Sequence, residues 1–142
     1  MKTRTQIVFT VDASVIIFHL FLKPGCRVVE SGSTLRCVIC VGTGSGALST
    51  HFAKVIAPLG HLFTFEYNEM RASEARREFA EHGLQKVISS FHRDAYKDGF
   101  VVKDESNPDL CVDKDHPVDA VFLDLPKPYC GMLCFVLSLL SD

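Results

Sequence analysis

The sequence predicts an α/β fold, a Rossmann-like three-layer sandwich in which helices cover a parallel sheet. Three observations predict it. Short apolar runs alternate with helix-forming segments, the pattern of parallel strands joined by crossover helices. A glycine-rich turn, Gly42-Thr43-Gly44-Ser45-Gly46-Ala47, follows the apolar run Cys37 to Val41 and leads into a helical segment. An acid, Glu66, ends the next apolar run, twenty residues past Gly46.

The elements follow in order. Thr5 to Thr10 reads as a short extended stretch, and Asp12 as the cap of a helix over Ala13 to Phe21, stopped by Lys23-Pro24-Gly25. Lys2 and Arg4 precede the apolar run Val11 to Leu22, but Asp12 and His19 interrupt it and no small-residue cleavage site follows, so no signal peptide is expected. Cys26 to Gly32 reads as a strand running into a turn, and Leu35 to Val41 as a second strand running into the glycine turn. Of the two, Arg36 to Val41 is expected to be the central strand, because it abuts the glycines and is apolar on both faces. Glu30 is then expected to stand away from the crevice.

A helix over Ala47 to Ala57 is closed by Pro58-Leu59-Gly60. His61 to Glu66 is the next strand. Glu69 to His82 is rich in good helix formers and ends at Gly83, with Met70, Ala75 and Phe79 expected to turn inward. Val87 to Phe91 is a third strand, with Asp94 just beyond it. Residues 97–117 read as a polar loop, and Val118 to Leu123 as a fourth strand ending in Asp124-Leu125-Pro126-Lys127-Pro128-Tyr129. The tail Met132 to Leu140 is apolar but shorter than the roughly twenty residues that span a bilayer, so no membrane segment is expected.

A chain of 142 residues is long enough for one domain with its own core. With a net charge of −2 and no polybasic arm, bulk charge gives no sign of a nucleic-acid partner. Six cysteines at scattered spacings argue against a disulfide framework. Cys37 and Cys40 form a CxxC, but three residues apart on a strand they face opposite ways, and Cys130 and Cys134 pair only by a looser spacing. No metal site is expected.

Ligands of parallel sheets bind beyond the carboxyl ends of the strands. The glycine turn, Glu66, Asp94 and Asp124 all fall at such ends and are expected to converge on one crevice. Glycines permit close backbone approach to a ligand. A helix N-terminus offers unpaired N–H groups. An acid at the position of Glu66 accepts hydrogen bonds from both hydroxyls of a ribose. Together they indicate a nucleoside-bearing cofactor. The bland readings are that Glu66 is a solvated strand end, Asp94 a loop cap and Arg71 a surface charge. The glycine pattern with alanine last also fits a nicotinamide-dependent oxidoreductase. Against it stand the second acid, Asp94 followed by Ala95, and the carboxylate and proline turn after the fourth strand.

Asp124-Leu125-Pro126-Lys127-Pro128-Tyr129 resembles the motif with which amino-methylating methyltransferases hold a base. Further matches are Arg4-Thr5-Gln6-Ile7-Val8-Phe9-Thr10-Val11-Asp12, Lys23-Pro24-Gly25, Val28-Val29-Glu30-Ser31-Gly32, Thr43-Gly44-Ser45-Gly46, Ile56-Ala57-Pro58-Leu59-Gly60-His61, Phe65-Glu66, Arg71-Ala72, Ala75-Arg76, Phe79 and Asp119 to Pro126. With these the chain resembles, from Arg4 to Tyr129, the catalytic subunits of the tRNA N1-adenine methyltransferases that modify adenosine 58 of the T-loop. The resemblance implies a class I S-adenosylmethionine-dependent methyltransferase fold. It implies that Val8, Gly44, Ser45, Gly46 and Ala47 contact S-adenosylmethionine, that Glu66 binds its ribose with Arg71 nearby, and that Asp94 and Ala95 hold its adenine. It places Asp124 at the methyl-transfer centre, within reach of cofactor and target base. It brings Gln6 to Thr10 close to the target nucleotide. It further implies tRNA as substrate, a related non-catalytic tRNA-binding subunit in a heterotetramer, and a nuclear location.

The chain departs from the family pattern in three places. About ten residues, Ser33 to Gly42, separate Glu30-Ser31-Gly32 from Thr43-Gly44-Ser45-Gly46, which the family runs together. No counterpart of the family's small N-terminal β domain is expected in these residues. After Tyr129 the motif matches stop. The expected organisation is a leading segment and helix over 1–25, a cofactor-binding half over 26–129 and a divergent tail over 130–142, with the last strands of the sheet lacking. A chain so divided is expected to be inactive alone, which keeps a truncated isoform or a non-catalytic partner subunit as the alternative.

Overall fold

The structure, a computed structural model, describes residues 10–31 and 47–123. In chain order these form α1 (Thr10–His19), β1 (Arg27–Ser31), α2 (Ala47–Ile56), β2 (His61–Glu66), α3 (Glu69–Glu81), β3 (Ile88–His92), a short α4 (Ala95–Asp98), a 3-10 turn (Pro108–Leu110) and β4 (Ala120–Leu123). All strand pairs are parallel, and the order among the described residues is β3-β2-β1-β4. In register, Val28 lies between Leu62 and Ala120, and Leu62 is followed by Ile88.

Successive strand residues point to opposite faces, and the sequence uses both. Val28, Leu62 and Ile88 join one core with Phe52, Ala53 and Ile56 of α2 and Ala75 and Phe79 of α3. Val29, Phe63 and Phe65 join a second with Ala95, Phe100, Val102 and Val112. Each helix presents an apolar stripe at the helical spacing. These stripes are Ala13, Ile16 and Ile17 on α1, continued by Leu20 just past its end, Phe52, Ala53 and Ile56 on α2, and Ala72, Ala75 and Phe79 on α3. Aromatic side chains interlock across and within layers. Phe52 of α2 meets Phe122 of β4 edge to face at 5.9 Å, and within the sheet Phe65 stacks on its register partner Phe91 at 5.3 Å. Burying each such side chain contributes roughly 1.5–3 kcal/mol before chain entropy is subtracted.

Several expectations are corrected. The centre of the sheet is β1, Arg27–Ser31, hydrogen-bonded to β2 on one side and β4 on the other. That leaves no place between them for Arg36 to Val41, which itself lies outside the described residues. The cause is nonlocal. Val28 and Val29 fill the two opposite cores, and adjacency to the glycines does not weigh against that. Glu30, expected away from the crevice, is the penultimate residue of β1 and fully buried. Thr10 opens α1 instead of ending an extended stretch, so Asp12 falls inside the first turn rather than before it. Met70 is 72% exposed, and Ala72 takes the inward position. Residues 97–117 are less polar in their setting than in their composition. Val102 and Val112 form an antiparallel bridge, and both are buried with Phe100 over the second core.

Two residues past α1 the chain passes through a strained conformation. Phe21 has φ 54, in the left-handed region, and Leu22 N donates to the Ile17 carbonyl at 3.1 Å, the closing bond of a helix C-terminal motif. A side chain there costs roughly 1–2 kcal/mol. Phe21 is 81% exposed and recovers little of that by burial. Glycine loses about 0.5–1 kcal/mol more backbone entropy on folding. Phe21→Gly is therefore expected to raise stability by about 0.5–1 kcal/mol, read from the urea midpoint; a lower midpoint would mean that the ring packs.

Candidate functional site

Three acids, Glu30, Glu66 and Asp94, stand at or just beyond the carboxyl ends of β1, β2 and β3. β2 ends on Glu66, which is 6% exposed. Its Oε1 accepts a hydrogen bond from the Asn68 backbone N–H at 3.0 Å. Asn68 in turn caps α3, its Oδ1 accepting from Arg71 N at 3.2 Å, so the acid and the helix start form one rigid corner. Burial pushes the Glu66 carboxyl above its ordinary value, and the Asn68 N–H, the Arg71 charge, the Tyr67 N–H and the His92 ring oppose that rise only in part. The carboxylate thus has fewer donors than its desolvation calls for. A ligand that brings two hydroxyl donors fits it.

β3 delivers the next group. Its last residue, His92, lies opposite Glu66 in the ladder, and Arg93 N donates to the Glu66 carbonyl at 2.8 Å. Asp94 follows. Its carbonyl accepts from Lys97 N and Asp98 N, which starts α4, and its carboxylate stands 4.0 Å from Lys97 Nζ. Ala95 is buried against the second core. Arg93 donates to the Val101 carbonyl and lies 5.5 Å over the Phe65 ring, which fixes the turn after β3.

β1 contributes Glu30 and Ser31. Ser49, in the first turn of α2, donates to Glu30 Oε2 at 2.7 Å, and both are fully buried. Ser31 Oγ donates to the Phe65 carbonyl at 3.2 Å. Thr64 Oγ1 and Ser90 Oγ, register partners on β2 and β3, are buried with no hydrogen-bond partner among the described residues. The row Glu30, Thr64, Ser90 makes the end of the sheet polar where its middle is apolar.

Of the residues singled out in the sequence, the structure brings Glu66, Arg71, Asp94 and Ala95 to this end. Ala47 opens α2. Val8, Gly44, Ser45, Gly46 and Asp124 lie outside the described residues; Asp124 directly follows Leu123, the last residue of β4. Sequence reasoning missed Ser49, Asn68 and His92. Asn68, two residues past a strand-end acid and one before a run of helix formers, carries a readable cap signal. Ser49 and His92 carry none, since their roles come from pairing between distant segments.

Comparisons with known proteins agree with this architecture. A sequence model of the family described as tRNA methyltransferase complex GCD14 subunit matches residues 1–137. The chain is 49% identical over 127 residues to a tRNA (adenine(58)-N(1))-methyltransferase catalytic subunit of Dictyostelium discoideum, covering 89% of this chain and 35% of that protein. It is 40% identical over 126 residues to the corresponding subunit of Candida albicans, covering 89% and 32%. The chain thus spans about a third of the length of these relatives. Among solved structures, a SAM-dependent O-methyltransferase from Thermotoga maritima superposes with a TM-score of 0.65 at 30% identity, over 96% of this chain and 42% of that one. Among the described residues, no helix is long and apolar enough to cross a membrane. The Rossmann-like sheet and the family match over residues 1–137 lead to one conclusion: the chain belongs to the GCD14 family of tRNA methyltransferase complex subunits.

Proposed function

We propose that this chain carries the cofactor-binding part of a catalytic subunit that methylates N1 of adenosine 58 in the tRNA T-loop, with S-adenosylmethionine as methyl donor. The observation that supports it most is the corner at the ends of β2 and β3, where Glu66 and Asp94 are joined through the Arg93–Glu66 backbone bond. The names of the relatives support the substrate. In this reading Glu66 accepts the two ribose hydroxyls, which relieves its shortage of donors. Arg71 adds a favourable charge beside it. Asp94 and Ala95 hold the adenine. Val8, Gly44, Ser45, Gly46 and Ala47 line the remainder of the cofactor. The subunit works in a heterotetramer with a related, non-catalytic, tRNA-binding subunit, in the nucleus; the net charge of −2 fits a tRNA grip supplied by a partner.

The cofactor supplies an electrophilic methyl group on a sulfonium. Adenine N1 carries a lone pair, so no strong base is required to make it attack. The task of the protein is aim and charge. Asp124 accepts a hydrogen bond from the N6 amino group and thereby orients N1. The adenine gains positive charge as the bond forms, so the attraction of the carboxylate is larger in the transition state than in the ground state. Pro126 and Pro128 restrict the backbone beside it.

Three outcomes test this. Glu66→Ala is expected to weaken S-adenosylmethionine about ten-fold or more in calorimetry, since charge-assisted bonds contribute about 1.5–3 kcal/mol; unchanged affinity would remove Glu66 from the site. Asp124→Ala, in the complete catalytic subunit with its partner, is expected to lower turnover about a hundred-fold while affinity for the cofactor falls less; full activity would overturn its role. The raised Glu66 also sets a pH dependence without ligand. A carboxyl whose folded value lies above its unfolded value stabilises the fold fully at acid pH, and that contribution is lost as pH rises from the ordinary carboxylate range through the folded value. Glu66→Gln should therefore gain stability relative to the parent chain as pH rises above the ordinary carboxylate range in urea titrations, and a difference independent of pH would refute the assignment.

A further inference from the structure

The sheet has a second cluster of chemically active side chains, at the end opposite the cofactor site. It lies in the loop before β4. Cys111, Asp113 and His116 each offer one ligand atom, and the three atoms lie within 4.8 Å of one another. They are one thiol, one carboxylate and one imidazole, the donor set that suits a borderline-soft divalent ion. From this cluster we infer that the loop 111–116 is a zinc site, with Cys111, Asp113 and His116 as protein ligands and water in the fourth position.

Three observations carry it beyond proximity. The backbone on both sides is already fixed. Val112 is bridged to Val102, and Arg27, the first residue of β1, donates to the Cys111 and Pro117 carbonyls, the latter at 2.8 Å. The ligands are also oriented by neighbours. Asp113 Oδ1 accepts from the Asp115 and His116 backbone N–H groups, both at 2.9 Å, and Asp104 N donates to Cys111 Sγ at 3.3 Å. An N–H aimed at sulfur and N–H groups aimed at a carboxylate are the supports that metal ligands ordinarily have. Finally, His116 Nδ1 and Asp113 Oδ1 are 2.9 Å apart, sharing a hydrogen that the ion would replace. Cys111 is 7% exposed and its thiol donates to the Asp104 carbonyl at 3.4 Å. On metal binding that proton leaves to solvent and the sulfur keeps its bond from Asp104 N. Zinc ligands at about 2.0–2.3 Å from the ion stand up to roughly 4 Å apart, so a small closure of the three side chains completes the site. The spacing is Cys-x-Asp-x-x-His, which no CxxC pattern reveals. The expectation of no metal rests on Cys37, Cys40, Cys130 and Cys134, none of which belongs to this cluster.

Cobalt(II) is the spectroscopic probe, with zinc as competitor. The chain is expected to bind one equivalent with thiolate-to-cobalt charge-transfer absorption and tetrahedral d–d bands, bleached by zinc. Cys111→Ser should abolish the charge-transfer band, and Cys37→Ser/Cys40→Ser and Cys130→Ser/Cys134→Ser should each retain it. His116→Ala, which spares the buried thiol and so tests the site even where Cys111→Ser does not fold, should weaken binding ten-fold or more. No band in the parent chain, a band that survives Cys111→Ser, a band lost with either of the other pairs, or unchanged affinity in His116→Ala would each overturn the assignment.

Discussion

The fold depends on the parallel hydrogen bonding of Arg27–Ser31 to a neighbour on each side. Such a strand has no solvent face, and the sequence meets that demand with consecutive valines, Val28 and Val29, each fully buried in a different core. A slip of one residue would exchange the two faces and put Glu30 into the second core among Phe63 and Phe65. Register is therefore set by composition as well as by hydrogen bonds. β2, α2 and the loop over the second core are positioned by reference to this strand.

The polar ends of the strands work against that stability. Glu30 and Glu66 are buried carboxylates, and burying a charge is costly unless donors surround it. The sheet limits the cost by placing them last or next to last, where Ser49, Asn68 and the helix starts supply donors. At Glu66 the supply is incomplete, which is why its carboxyl is pushed up. An unmet demand at a strand end differs from one in mid-strand. Mid-strand it only destabilises, whereas at the crevice a ligand can meet it. Local rules are expected to be broken where a site sits.

Much of this was legible in the sequence. His61–Glu66 is a strand with the bounds read from its apolar run, and the helices around Ala47–Ile56 and Glu69–Glu81 differ from expectation by a residue or so, because capping and stop signals are local. Glu66 was legible for the same reason. The central strand was not. Two apolar runs competed for it, and the winner is decided by which pairs with His61–Glu66 and Ala120–Leu123, a fact absent from either run. Phe100, Val102 and Val112 were hidden similarly, in two three-residue apolar runs within a charged stretch, united only by a bridge spanning ten positions. The cysteine pattern misled in the reverse direction. Cys37 and Cys40 drew attention by spacing, whereas Cys111 gains its partners from the fold of a turn.

The two ends of the sheet are thus stabilised by different means. At the carboxyl end, burial leaves the Glu66 carboxyl with fewer donors than it calls for. At the amino end, Arg27 does the reverse: one guanidinium supplies donors to the carbonyls of Asp109, Cys111 and Pro117 while its face lies 5.3 Å over Phe63. Its own backbone exchanges bonds with Asp119, N–H to Oδ2 and carbonyl to N–H, both at 2.8 Å. A planar cation with five donors suits a loop whose carbonyls have no strand to pair with. It fixes the approach to β4. Lysine offers one point charge and no fork, so it would hold at most part of this loop. The amino-end clamp and the carboxyl-end acid Glu66 therefore belong to one design: a sheet whose register is locked at one end can tolerate a costly buried carboxyl at the other.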